Sequence, residues 1–235
     1  MKKTLITLLA LAGVASADTL LSLDFTTATD VPAGWTTGQW NGSNTPHYTF
    51  GENGATVYHP WKQNYIETAV DITSTSTYDI TYTLYNSVED TGNMFYLSSD
   101  SYSIVIGNSY NSNSEVYVGT LDSAVGAGFV CFQTGTGTNP TVLANSTGFN
   151  VSGDITYSLT LNGSDLSISA TSTSGSTWST TVSGLTATDF NKVGFIADGA
   201  GGTVGVKNIS IVPEPATATL SLLALAGLAA RRRRK

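Results

Sequence analysis

The sequence predicts an all-β fold, a two-sheet antiparallel β-sandwich, on three observations. Apolar and polar residues alternate at period two in many short runs, and no stretch keeps a helical apolar period. Ser and Thr make up more than a quarter of residues 18–212, with Tyr and β-branched residues filling the alternating positions. Turn residues recur between the runs, Asn-Gly above all.

The elements follow in order. Residues 20–25 open the sandwich. Residues 48–52 and 55–58 are two strands turned at Asn53-Gly54, because Asn and Gly accept positive φ. Residues 65–72 come next. Tyr78, Ile80, Tyr82 and Leu84 then alternate with Asp79, Thr81 and Thr83. Residues 93–98, 102–107, 115–120 and 128–133 read as further strands. Ile155, Tyr157, Leu159 and Leu161 pair with Leu166, Ile168 and Ala170 across the Asn162-Gly163-Ser164 turn. Residues 193–197 and 203–212 close the domain. The last run changes phase between Val204, Val206 and Ile209, Ile211, which predicts a β-bulge near Lys207-Asn208. About a dozen short strands favour a two-sheet sandwich over a parallel β/α fold and exceed what an immunoglobulin-like sandwich needs.

Charge separates the ends from the middle. Of ten Lys and Arg, seven lie at the termini, and only Lys62, Lys192 and Lys207 balance the acidic residues between. Phosphate binding needs clustered cations, so nucleic acid is excluded as a partner. The lone Cys131 excludes an intrachain disulfide or multi-cysteine zinc site, and its apolar neighbours make it a buried thiol.

Residues 1–17 have a secretory signal's order: Lys2 and Lys3, an apolar run, then Ala15-Ser16-Ala17 for signal peptidase. At the other end Pro213-Glu214-Pro215 precedes residues 216–230, apolar and uncharged, and then Arg231–Arg234 and Lys235. As a helix the apolar segment reaches about 22 Å against a hydrocarbon core of about 30 Å, and the Arg side chains extend its reach by snorkelling. The basic run stays cytoplasmic and leaves the preceding chain outside. This three-part tail resembles the PEP-CTERM sorting signal read by exosortases. The resemblance implies a transient inner-membrane anchor, processing near Pro213, Glu214 and Pro215, and transfer to the cell surface or exopolysaccharide matrix. The expected organisation is a signal peptide (1–17), the sandwich (18–212) and the sorting segment with its short transmembrane helix (213–235).

The middle resembles the concanavalin A-like, laminin-G type jelly roll, on residues 20–25, the meander 154–170 and the closing run 192–212. The resemblance implies that the first and last strands lie side by side in one sheet.

Three of the four Trp and both His crowd into one stretch: Trp35, Trp40, His47, Tyr48, Tyr58, His59, Trp61 and Tyr65, among Gly, Asn and Thr. Rings offer apolar faces to sugars, and the polar neighbours can bind hydroxyls. Trp35, Trp40, Tyr58, His59 and Trp61 are therefore the candidate carbohydrate contacts. The same rings could instead cap the core; the sequence leaves both readings open. Pro60 holds Tyr58, His59 and Trp61 extended.

No third ligand accompanies His47 and His59. Asp24, Asp154, Asp165, Asp189 and Asp198 sit at strand ends or turns, where calcium could find oxygens, although no dense calcium loop is present. No other cofactor is expected. A glycosidase needs two carboxylates, and the glutamates of the middle are Glu52, Glu67, Glu89 and Glu115. The Glu-x-Asp-x-x-Glu pattern of sandwich-fold β-glucanases is absent, and Glu89 and Asp90, being adjacent, would point to opposite faces of a strand. The expectation is an exported, non-catalytic glycan-binding or adhesion module. The alternatives are a structural matrix protein without a discrete ligand and a glycan-active hydrolase.

Overall fold

The computed structural model describes residues 18–40, 48–58, 63–88, 91–108, 115–126, 139–186, 189–199 and 202–214. The described residues form two antiparallel sheets packed face to face. Sheet I has the order β13 (Thr177–Val182), β12 (Asp165–Ser172), β11 (Gly153–Asn162), β6 (Thr77–Asn86), β15 (Thr203–Pro213), β4 (Gly54–Tyr58), β3 (Thr49–Gly51), and β1 (Leu21–Asp24) also pairs with β15. Sheet II has the order β10 (Thr141–Asn145), β9 (Val116–Leu121), β8 (Ser103–Asn108), β7 (Thr91–Ser98), β14 (Phe190–Gly199), β5 (Asn64–Ile72), β2 (Trp35–Gln39).

β1 and β15 lie side by side, Leu21 opposite Ile211. The register shift in β15 falls between Val206 and Asn208, which skips Lys207 and returns both apolar pairs to the core face. The Asn162 turn joins β11 to β12, with Gly163 at φ +57°. At the β3–β4 turn Gly54 stands at φ +81°, and a Cβ there would meet the Val206 carbonyl at 2.0 Å. Only glycine fits.

The core is aromatic. Tyr82 stacks on Phe95 at 4.4 Å and on Tyr157 at 4.8 Å, tying sheet I to sheet II. A buried amide network also joins the layers. Asn93 of β7 donates to the carbonyls of Gly205 (2.9 Å) and Tyr85 (3.0 Å) and to the Asn86 side chain (3.1 Å), all in sheet I.

The abundant Ser and Thr cover the outer face of sheet I. Thr83, Thr156, Thr171 and Thr177 form one row across four strands, and Thr81, Ser158, Ser169 and Ser179 the next. Hydroxyl pairs such as Thr83–Thr156 (3.2 Å) and Ser167–Thr181 (3.3 Å) bridge neighbouring strands.

Two sequence expectations change. Strands β2, β10 and β13 form where none is expected. The sandwich also runs past residue 212: Pro213 is the last residue of β15, opposite Tyr78, and the Glu214 N–H donates to the Thr77 carbonyl at 2.8 Å. The expected strand 128–133, with Cys131, lies outside the described residues, as do 1–17 and 215–235. Among the described residues no helix is long and apolar enough to cross a membrane.

Candidate functional site

Alternation along sheet II sends Ile66, Phe95 and Phe195 into the core and turns Tyr65, Glu67, Met94, Tyr96, Gly194 and Ile196 to the outer face. Strand register aligns these into rows. One runs Gly38, Tyr65, Ile196, Met94, and the next runs Thr36, Glu67, Gly194, Tyr96.

A glycine faces each tyrosine. A Cβ on Gly38 would come within 2.1 Å of the Tyr65 ring, and one on Gly194 within 2.5 Å of the Tyr96 hydroxyl. The two rings therefore lie across the sheet over bare backbone. Trp40, just past β2, stacks on Tyr65 at 4.8 Å and leans on Tyr96 at 6.1 Å. Trp40 and Tyr65 are partly exposed, whereas Tyr96, Met94 and Ile196 beneath them are buried.

Glu67 borders this platform. It accepts a hydrogen bond from the Tyr96 hydroxyl, and its other oxygen meets the Lys192 ammonium at 3.0 Å. The Glu67 side chain is 14% exposed and that of Lys192 42%, so the carboxylate is the desolvated partner and the lysine faces water. Burial, and then the Glu67 charge, pushes the Tyr96 hydroxyl well above the usual tyrosine range. The arrangement offers apolar ring faces edged by polar groups, the chemistry of a sugar subsite. It is poorly suited to acid–base work. Both Glu67 oxygens are engaged, and Glu67 is the only carboxylate of the two rows among the described residues.

The candidate residues separate. Trp40 joins the platform. Tyr58 ends β4 in sheet I and is 69% exposed. His59, Trp61, His47 and Pro215 lie outside the described residues. Trp35, a candidate carbohydrate contact, takes the other reading and is a core residue: it is 8% exposed, edge-on to Phe25 at 5.0 Å and stacked with Phe195 at 6.4 Å. A ring enclosed between sheets presents no face to a ligand. Tyr96, Glu67 and Lys192 escape a sequence reading because only strand register brings them to one face. The one local cue is a glycine opposite an aromatic, and it becomes visible only with the pairing.

The Asp residues proposed for calcium serve separate places. Asp24 accepts from the Thr26 N–H (2.9 Å) and hydroxyl (2.6 Å), which lowers its pKa. Asp154 pairs with Lys207 at 2.8 Å, and Asp189 accepts from the Ser74 N–H at 2.8 Å. No group of three His, Cys, Asp or Glu that could hold a metal occurs among the described residues.

Comparison with known proteins separates the tail from the body. Residues 212–235 match the family model for the PEP-CTERM protein-sorting motif. The chain carries a PEP-CTERM sorting signal. The first two residues of the motif, Val212 and Pro213, are still paired in β15. No curated protein sequence matches the chain. Solved structures match the fold of the body. The CBM2 module of the evolved Dit protein from Lactobacillus casei BL23 phage J-1 is 14% identical with a TM-score of 0.52, over 83% of this chain and 95% of that one. The Griffonia simplicifolia lectin I-B4, in its metal-free form, is 11% identical with a TM-score of 0.52, over 83% and 100%. A structure from work on endo-acting O-glycanases of the human gut microbiota is 12% identical with a TM-score of 0.55, over 83% and 99%. The body of the chain has the concanavalin A-like jelly-roll fold.

Proposed function

We propose that the chain is an exported, non-catalytic glycan-binding module of the cell surface or exopolysaccharide matrix. Signal peptidase removes residues 1–17, and the tail holds the protein in the inner membrane until an exosortase processes it near Pro213, Glu214 and Pro215. The observation that carries the binding reading is the Trp40–Tyr65 stack on the outer face of sheet II, with Glu67 and Lys192 at its margin. Similar solved structures include a lectin and a CBM2 module, which supports the same reading. Tyr58, at the end of β4, and His59 and Trp61, which follow it in sequence, are further proposed sugar contacts. A hydrolase is the weaker alternative, because Glu67 is tied by Lys192 and Tyr96 and lacks a second carboxylate in its row. The reading as a structural protein without a discrete ligand draws on one observation, the complete burial of Met94, Tyr96 and Ile196 at the platform's centre.

A glycan array probed with the chain tests the proposal. The expected result is a defined set of glycans whose signal falls about tenfold or more in Trp40→Ala. No hit, or hits indifferent to Trp40→Ala, would reject the binding reading. Release of sugar from a polysaccharide would favour the hydrolase.

A further inference from the structure

β13 ends sheet I, and among the described residues no strand lies beyond it. Its outward backbone N–H and C=O groups form a row that another strand could pair with. Edge strands are usually blunted by Lys, Pro, a bulge or brevity. β13 has none of these: it is Thr-Trp-Ser-Thr-Thr-Val over six residues, in unbroken register with β12. The sequence carries no charged side chain from Leu166 to Thr188, although the chain as a whole is acidic with a formal charge of −7. Local repulsion between two copies is therefore absent at this edge. Of the two five-residue edges of sheet II, β10 is interrupted by a register shift between Val142 and Ala144, and β2 is shorter than β13 and carries Gly38.

We propose that β13 pairs antiparallel with β13 of a second copy about a two-fold axis through Thr180. Residues opposite one another must lie on the same face of a continuous sheet. Trp178 and Val182 are the inward, partly buried positions that pack at the margin of the core. Centring on Thr180 sets Trp178 opposite Val182 of the second copy, an aromatic–β-branched pair on each side of the axis. It also sets the outward Ser179 opposite Thr181 of the second copy. Centring on Ser179 instead would face Trp178 with Thr180 and leave Val182 without a partner. The axis stands perpendicular to sheet I, so both copies carry sheet II on the same side. If the platform reading above holds, the dimer presents two sugar subsites to one polymer.

The test measures the mass of the intact chain in detergent solution by light scattering, across a concentration series. The wild type is expected as a dimer. Ser179→Lys/Thr181→Lys sets lysine against lysine twice and is expected to weaken dimerisation by about tenfold or more. Ser179→Lys/Thr181→Asp sets opposite charges together in this register only, and is expected to restore the dimer. Circular dichroism of both variants should retain the strand signal. A monomeric wild type, a dimer indifferent to the two lysines, or no rescue by the Lys/Asp variant would overturn the proposal. None of these outcomes depends on glycan binding.

Discussion

The ring of Tyr65 lies over the backbone of Gly38, so close that a Cβ on residue 38 would sit 2.1 Å from it. The glycine thus sets the height of the ring on which Trp40 stacks.

Gly38→Ala is expected to lift Tyr65, break the Trp40 stack and lower glycan affinity about tenfold. Overpacking at such a site costs about 1–3 kcal/mol of stability. Titration with an oligosaccharide chosen from the array, beside a denaturant curve, checks both. Unchanged affinity would show that the platform is not the binding surface.

Two Tyr→Phe substitutions are expected to differ in sign. The hydroxyls of Tyr82 and Tyr157 are buried without a hydrogen-bond partner, so Tyr82→Phe removes a desolvated polar group and should be neutral or stabilising, by up to about 2 kcal/mol. The Tyr96 hydroxyl serves Glu67, so Tyr96→Phe should destabilise by about 1.5–3 kcal/mol, the range for a hydrogen bond to a charged group. Denaturant midpoints decide.

Alkaline pH should unfold the protein through its buried tyrosines. Burial raises the hydroxyls of Tyr82, Tyr96 and Tyr157 above the ordinary value of 10.0. The folded state therefore keeps protons that the unfolded chain releases. Stability is unaffected below pH 10, then falls as pH rises toward the folded values, by about 1.4 kcal/mol per pH unit for each such tyrosine. Tyr117, raised to about 12 by burial and by Glu115, adds a smaller share. Phenolate absorbance should show these side chains ionising together with loss of the strand signal. Smooth titration of every tyrosine near pH 10 in a folded protein would contradict this.

Asn93→Leu is expected to cost about 3 kcal/mol, because it strips a donor from the Gly205 and Tyr85 carbonyls and from Asn86 in the space between the sheets. A midpoint shift no larger than that of a surface substitution would show that the amide network does not hold the layers together.

The alternation of Tyr78–Leu84 and Ile155–Leu161 made the central strands legible, because each has one face on the core and one on water. The bulge at Lys207 was legible from the phase change alone. β13 was not, since its outward Thr177, Ser179 and Thr181 face inward Trp178, Thr180 and Val182, a pattern with little apolar contrast. The site was legible only in part. Aromatic crowding flagged Trp40 and Tyr65 but could not separate them from Trp35, which differs by lying between the sheets. Glu67, Tyr96 and Lys192 are far apart in sequence and meet only through the pairing of β5, β14 and β7.

The central claim, that sugar meets the outer face of sheet II at Trp40, is tested most directly by the indole N–H resonances in a proton–nitrogen NMR spectrum during oligosaccharide titration. The account predicts a saturable shift of the Trp40 signal, with the enclosed Trp35 signal still. A Trp40 signal that stays fixed while the sugar binds would contradict it.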